Sequence, residues 1–284
     1  MPSHAPPDPV PPLRPPPGPS VTQAPAGPIR RGLAAARDLL DAVLFFGLFA
    51  LFAASCLAWS LPAGLLYHVL PREAGARLGQ FAIMAGFRWF VGAMQATGRI
   101  RCDLTALDAL RDAGPLVIAP NHPSLLDVVL IVSRLPRVVC IAKPAIWDNP
   151  LLGGGARLAA YVRNDAPYML IRRTAEAVAQ GQQLLVFPEG TRTVHPPVDR
   201  FKGGFALVAR RAGAPVQTVF IESNTDFLGK GRPLFKRPRF PLIYRVRLGR
   251  RFEVHGNAQA FADELEAYFR AELAHAEPGR RDPA

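Results

Sequence analysis

Two short runs in this sequence have the residue types and spacing that chemistry needs. The first, Pro120-Asn121-His122-Pro123-Ser124-Leu125-Leu126-Asp127, follows the apolar stretch Leu116-Val117-Ile118-Ala119. Proline suits the first position of a helix, so His122 falls in a strand-to-helix turn and Asp127 about one turn into the helix. From there the carboxylate can reach back to the imidazole. A carboxylate on one ring nitrogen fixes the tautomer and stabilises the imidazolium, leaving the other nitrogen to take a proton from an attacking hydroxyl. The second run, Phe187-Pro188-Glu189-Gly190-Thr191-Arg192, follows Leu184-Leu185-Val186. Glycine there lets backbone amides approach a ligand, and the forked donors of an arginine match phosphate or oxyanion oxygens.

Each run alone has a plainer reading. A His-x-x-x-x-Asp pair is more often a satisfied structural histidine than a base, and Glu-Gly-Thr-Arg also suits a surface turn with a local ion pair. Ser124 lies beside the pair but lacks a G-x-S-x-G elbow, so direct transfer without an acyl-serine is the expectation.

The elements around these runs predict what positions them. Short apolar segments at Arg99–Leu104, Pro115–Ala119, Val138–Ala142, Leu184–Phe187 and Val216–Ile221 read as strands. Between and after them, Leu125–Ser133, Leu151–Ala160, Arg172–Gln180, Phe205–Ala212 and Ala258–Ala274 read as helices. Alternating strands and helices imply an α/β domain with a mixed central sheet flanked by helices. In such domains the loops at strand ends carry the chemistry, and both runs sit at strand ends. Neither GxGxxG nor GxxxxGK[ST] occurs, so no nucleotide-phosphate loop is indicated.

Composition narrows the partners. The chain has 284 residues, is 49% hydrophobic and carries a net charge of +12. Basic charge attracts either an anionic bilayer or a nucleic acid. Ala42 to Pro71 contains no Asp, Glu, Lys or Arg, and about 20 such residues span a bilayer. The expectation is therefore a retained membrane segment and no nucleic acid, with a buried core helix as the alternative. Pro62 is expected to interrupt this run. Phe81–Gly98 forms a second apolar stretch, so one spanning helix and a two-helix hairpin both fit. Basic residues flank both sides, and the positive-inside rule does not choose.

The first 28 residues hold 12 prolines and two charged residues, which predicts a disordered tail. Cys56, Cys102 and Cys140 are scattered, without disulfide or zinc spacing, so no metal is expected. The expected division is a disordered Pro-rich tail over 1–28, a membrane-anchoring helical region over 29–98, the catalytic domain over 99–274 and a flexible C-terminus over 275–284. Between Arg200 and Arg251, 13 Lys or Arg residues face two acids, with phenylalanines interspersed. That pattern suits an anionic bilayer, an acidic carrier protein, coenzyme A phosphates or simply a solvated face.

Together, Asn121-His122-Pro123-Ser124-Leu125-Leu126-Asp127 and Phe187-Pro188-Glu189-Gly190-Thr191-Arg192 resemble two signature blocks of the glycerolphosphate and lysophosphatidate acyltransferases, the PlsC-like family. The resemblance covers roughly Ile100 to Glu253. It implies an O-acyltransferase with His122 and Asp127 as the catalytic dyad and an acceptor site lined by Glu189, Gly190, Thr191 and Arg192. Asn121 or Gly190 would supply an oxyanion donor, and Lys143, at the end of the Val138–Ala142 strand, a second phosphate-binding base. Tyr161-Val162-Arg163 fits an intermediate block, although Asn164-Asp165 and Ala214-Pro215-Val216 depart from the family pattern. No resident cofactor is implied, since acyl-CoA or acyl carrier protein enters as co-substrate. The implied acceptor is a lysophospholipid, foremost 1-acyl-sn-glycerol-3-phosphate giving phosphatidate, with a lyso-aminolipid or specialised lipid as the alternative. The implied site is the cytoplasmic face of a bacterial-type inner membrane. The rival of another class is a non-catalytic membrane-binding scaffold.

Overall fold

A computed structural model describes residues 28–149, 153–164, 167–233 and 236–275. The tail over 1–27, the terminus over 276–284, Leu151, Asp165 and Phe235 lie outside the described residues. Pro28, grouped above with the tail, is the first residue of α1 (Pro28–Val69).

Helix α1 contains the uncharged run, and Ala36–Val69 within it has a mean hydropathy of 2.2 with 6% of its most apolar window buried. It is the only described helix long and apolar enough to cross a membrane. Pro62 lies inside α1 without ending it. A helical proline removes one backbone donor, and membrane-type helices absorb that loss. The break falls instead at Pro71, the N-cap of α2 (Arg72–Ala96). Helix α2 is packed on the domain: Gly75, Ala76, Gly79, Met84, Phe90 and Met94 are buried. A Cβ on Gly79 would stand 2.5 Å from the Ala159 nitrogen, so only glycine permits this approach. Gln80 Nε2 donates to the Ala159 carbonyl at 3.1 Å.

The domain is a seven-stranded mixed sheet: β1 (Ile100–Asp103), β2 (Leu116–Pro120), β3 (Val138–Ala142), β4 (Val162–Arg163), β5 (Gln183–Leu185), β6 (Val216–Ser223) and β7 (Leu242–Phe252). The spatial order is β1-β7-β6-β2-β5-β3-β4. Strands β4, β3, β5, β2 and β6 run parallel to one another, β7 is antiparallel to β6, and β1 is parallel to β7. The helices α3 (Leu126–Val132), α4 (Pro144–Trp147), α5 (Gly153–Leu158), α6 (Pro167–Ala179), α7 (Gly204–Ala212) and α8 (Ala258–His275) connect and cover it.

Side chains alternate across the sheet, as a pleat demands. Leu116 and Ile118 join a core with α2 and α3 residues, whereas Val117 and Ala119 join a second core with α6, α7 and α8 residues. Strand β2 is buried along its whole length, as a central parallel strand must be.

The sequence did not predict β4 or β7. In β7, Leu242, Tyr244 and Val246 are buried while Ile243 and Arg245 are exposed. Part of the basic stretch read above as a binding surface is thus the outer face of a strand. One of its charges is engaged: Arg247 pairs with Glu222 at 3.0 Å and Glu272 at 2.9 Å, and lies 3.9 Å over the Phe220 ring.

Candidate active site

Because β2, β5, β3 and β4 run parallel, the loops after their C-terminal ends share one edge of the sheet. The His122 loop leaves β2 there and the Glu189 loop leaves β5 beside it. Lys143 and Arg163 end β3 and β4 along the same edge.

His122 Nδ1 lies 2.9 Å from Asp127 Oδ2, which also accepts the Ser124 backbone N–H at 2.8 Å. Helix α3 begins at Leu126, so Asp127 sits in its first turn, where the helix dipole favours a carboxylate. Asp127 is fully buried and its Oδ1 has no hydrogen-bond partner among the described residues. Burial pushes its carboxyl above the ordinary range, opposed by the His122 hydrogen bond and charge, the Ser124 N–H and the charge of Arg192. The imidazole is stacked on Phe187, with centroids 3.6 Å apart and planes at 15°. One ring edge is tied to Asp127 and one face to Phe187. The side chain keeps 11% of its surface exposed, and Nε2, the edge opposite Asp127, has no partner among the described residues.

Glu189 is buried and its oxygens are occupied by the protein. Oε1 accepts the His122 backbone N–H and the Thr193 hydroxyl, each at 2.9 Å, and Oε2 accepts the Asp199 N–H at 2.9 Å. Thr193 N–H in turn donates to the His122 carbonyl at 2.8 Å. Glu189 therefore braces the two loops against each other rather than opening onto an acceptor. Burial raises its carboxyl above the usual glutamate value, against the pull of these donors.

Asn121 differs from its expected part as well. Its Nδ2 donates to the Ile221 carbonyl at 3.0 Å and its Oδ1 accepts the Ile221 N–H at 2.8 Å. The side chain imitates a strand neighbour of β6, which commits its oxygen and one of its two amide hydrogens to the Ile221 backbone. The Gly190 N–H is likewise engaged, on the Phe187 carbonyl at 2.9 Å. Gly190 itself has φ +70°, and a Cβ there would stand 3.0 Å from Lys202 Nζ. Ser124 Oγ donates to the Phe227 carbonyl at 2.9 Å and is buried, so it is not presented as a nucleophile.

Arg192 Nη1 donates to the carbonyls of Leu228 at 2.7 Å and Gly229 at 3.1 Å. This anchors the loop after β6, whose Leu228 carbonyl also accepts the Leu125 N–H at 3.2 Å. Arg192 is half-buried and Thr191 is half-buried beside it, while Lys143 is exposed. Arg163 is paired with Asp148 at 2.6 Å. The sequence reading missed Phe187 as a stacking partner, Lys202 beside Gly190, and Tyr244, whose hydroxyl lies 3.5 Å from Ser124 Oγ. Nothing in the local sequence marks Lys202 or Tyr244, since each arrives from a distant strand or loop.

No group of three or more His, Cys, Asp or Glu that could hold a metal occurs among the described residues. What the edge offers is a base with one free nitrogen, a fixed carboxylate behind it, and cations on neighbouring loops.

Residues 101–222 match the Acyltransferase family. The chain is 27% identical over 205 residues to the human 1-acyl-sn-glycerol-3-phosphate acyltransferase beta, covering 70% of this chain and 72% of that protein. It is 37% identical over 125 residues to the coconut (Cocos nucifera) 1-acyl-sn-glycerol-3-phosphate acyltransferase, covering 42% of this chain and 40% of that protein. It is 31% identical over 116 residues to the lyso-ornithine lipid O-acyltransferase of Pseudomonas aeruginosa, covering 39% and 45%. The chain thus spans under half the length of the last two. The crystal structure of the 1-acyl-sn-glycerophosphate acyltransferase PlsC from Thermotoga maritima superposes with a TM-score of 0.61 at 19% identity, over 85% of this chain and 98% of that one, which establishes a shared fold. The matched span begins in β1, ends in β6 and so contains both loops that meet around His122; over those residues the chain is similar to the Acyltransferase family.

Proposed function

We propose that the protein is a membrane-anchored O-acyltransferase that moves a fatty acyl group from acyl-CoA or acyl carrier protein to the hydroxyl of a lysophospholipid. The acceptor we put first is 1-acyl-sn-glycerol-3-phosphate, giving phosphatidate, which is the acceptor in the names of the human and coconut relatives. The observation that carries the reading is the His122 Nδ1 to Asp127 Oδ2 contact of 2.9 Å with Nε2 left open.

In this reading Nε2 takes the proton of the acceptor hydroxyl as its oxygen attacks the thioester carbonyl. Asp127 steadies the imidazolium. The carbon–sulfur bond breaks, and the imidazolium returns the proton to the departing thiolate, so the base is regenerated without a covalent intermediate. Arg192, with Lys143 further along the edge, supplies positive charge for an acceptor phosphate. Helix α1 supports a membrane anchor. Because acyl-CoA and acyl carrier protein are cytosolic, the domain is assigned to the cytoplasmic face of a bacterial-type inner membrane.

A second acceptor, a lyso-ornithine lipid, is supported by the Pseudomonas aeruginosa relative at 31% identity. Thiol release by the detergent-solubilised protein, supplied with each donor and either acceptor, tests both readings. Release that depends on lysophosphatidate and disappears in His122→Ala is the expected result. Release dependent only on the lyso-ornithine lipid transfers the assignment to that acceptor, and no release from any combination overturns it.

A further inference from the structure

Tyr244, in β7, is 1% exposed and carries a hydroxyl that the proposed reaction does not use. A buried phenol needs a hydrogen-bond partner, whereas a phenylalanine would fill the same space without one. Alternation along β7 turns Tyr244, with Leu242 and Val246, into the core that also holds Leu126 and Leu130 of α3. The ring therefore lies under the helix that carries Asp127, although β7 is two strands away from β2 in the sheet.

The Tyr244 hydroxyl ends 3.5 Å from Ser124 Oγ and has no other partner among the described residues. Ser124 Oγ gives its single hydrogen to the Phe227 carbonyl at 2.9 Å and accepts the Leu126 N–H at 3.2 Å. In that arrangement the phenol is the donor and Oγ the acceptor. Burial, and after it the charge of Asp127, pushes the phenol up against the opposing pull of Ser124, so Tyr244 keeps the hydrogen it donates.

Ser124 is where the two halves of the site are tied together. Its backbone N–H meets Asp127 Oδ2 at 2.8 Å, the oxygen that also faces His122 Nδ1 at 2.9 Å. Its hydroxyl holds the Phe227 carbonyl, which directly precedes the Leu228 and Gly229 carbonyls that accept from Arg192. A hydroxyl that fixes Ser124 thus bears on the carboxylate behind the base.

We infer that Tyr244 is a positioning residue of the dyad: by donating to Ser124 Oγ, its hydroxyl holds the Ser124 N–H on Asp127 and so fixes the carboxylate that faces His122. Tyr244 touches no reacting atom and acts through Ser124 alone. This deepens the acyltransferase reading above and rests on it for the effect on turnover, while the link from Tyr244 to Ser124 can be read without any substrate.

The test uses the full chain in detergent, with its serines labelled by nitrogen-15, and follows the Ser124 amide by NMR in wild type and Tyr244→Phe. Ser124→Ala identifies that signal by its disappearance. Tyr268→Phe is the control, since it removes a hydroxyl that accepts the Arg250 N–H at 3.1 Å on the other face of the sheet. In Tyr244→Phe the Ser124 amide hydrogen should exchange about fivefold faster, the worth of one net hydrogen bond, and its resonance should move upfield as the bond to the carboxylate weakens. Tyr268→Phe should change neither. In acceptor-dependent thiol release, Tyr244→Phe should lower kcat by roughly tenfold with KM little changed. Added to Ser124→Ala, it should cost nothing more, because the route it acts through is already gone. A Ser124 amide unchanged by Tyr244→Phe overturns the inference, even where the thermal midpoint falls, since that outcome makes Tyr244 a packing residue. A further loss of release in the Ser124→Ala background also overturns it. Failure of the acyltransferase reading shows separately, as no thiol release from the wild type, and the Ser124 amide then still decides.

Discussion

Glu189 Oε1 accepts the backbone N–H of His122 at 2.9 Å, so the acid of one motif holds the main chain of the other. Glu189→Gln places an NH2 group among the N–H and hydroxyl donors that the carboxylate now accepts. Hydrogen bonds to a charged group contribute about 1.5–3 kcal/mol, and part of that should be lost. The expected outcome is a lower thermal midpoint and a fall in kcat, with the KM for the acceptor little changed. A raised KM at constant kcat would return Glu189 to the acceptor site.

His122→Ala removes the base and little else, since the ring is held at its edge and one face rather than deep in a core. Acceptor-dependent thiol release should fall by about 10² to 10⁴. The thermal midpoint should move little. Undiminished release in the variant would overturn His122 as the base, whereas no release from the wild type, with vesicle binding intact, would favour a lipid-binding scaffold.

Arg192→Lys keeps the charge and loses the fork. One guanidinium nitrogen now ties down the carbonyls of Leu228 and Gly229, and a point charge cannot hold two carbonyls and a phosphate together. The KM for lysophosphatidate should rise by roughly tenfold, about 1.4 kcal/mol. Steady-state kinetics with lysophosphatidate and with an acceptor lacking phosphate separate the two roles, because only the former should show the full effect.

Asp199 shapes the loop after Glu189 by accepting the Val194 N–H at 2.7 Å and the His195 N–H at 3.1 Å. Burial works against its ionised form, yet these bonds and the His195 side chain together hold its carboxyl below the ordinary aspartate value. Its contribution to stability is therefore complete above that ordinary value and is lost as pH falls through the lower folded one. Asp199→Asn should unfold earlier than wild type at pH 7. The gap between the two melting curves should close on acidification below pH about 4.

Gly154→Ala should loosen α1 from the domain. A Cβ there would stand 2.0 Å from the Ser60 carbonyl oxygen and 2.8 Å from the Gly64 nitrogen, both backbone atoms that cannot rotate away. Overpacking of this kind costs about 1–3 kcal/mol. Thermal unfolding in detergent should show a drop of several degrees, whereas Gly92→Ala, where a Cβ meets nothing within 4 Å, should show none.

The sequence was most legible where chemistry and local geometry coincide. Pro123 was expected to open the helix, but α3 begins three residues later at Leu126; Asp127 still falls in its first turn, close enough for its carboxylate to meet His122. The five strands read from apolar runs are present: β2, β3, β5 and β6 are mostly buried on both faces and need no polar alternation, whereas β1 buries only Ile100. Strand β7 escaped notice for the opposite reason: its alternating arginines resemble a binding surface until Glu222 and Glu272 arrive from elsewhere to engage one of them. Strand β4, with two residues, has too little pattern to read.

Within the site, residue type was legible and direction was not. Glu189 and Asn121 are polar residues in loops, which suggests ligand contact. Their partners include backbone groups 67 and 100 residues away, brought near by the sheet order. Phe187 was read as the end of a strand, and its stacking on His122 follows from β5 lying next to β2, a neighbourhood that local periodicity does not encode.

The close fit of Gly154 into the Ser60–Gly64 segment bears on how this protein can be divided. A membrane anchor joined by a linker can be cut off or exchanged like a handle. Here the handle and the blade share a seam, with Phe45 seated against Phe227 and Phe240 at one end and bare glycine backbone at the other. A soluble version trimmed at Pro71 would uncover that seam and clump, and a chimera carrying another protein's anchor would need matching small residues at 60, 64 and 154. Purification strategy and the choice of donor anchor are thus fixed by three small residues that take no part in the reaction.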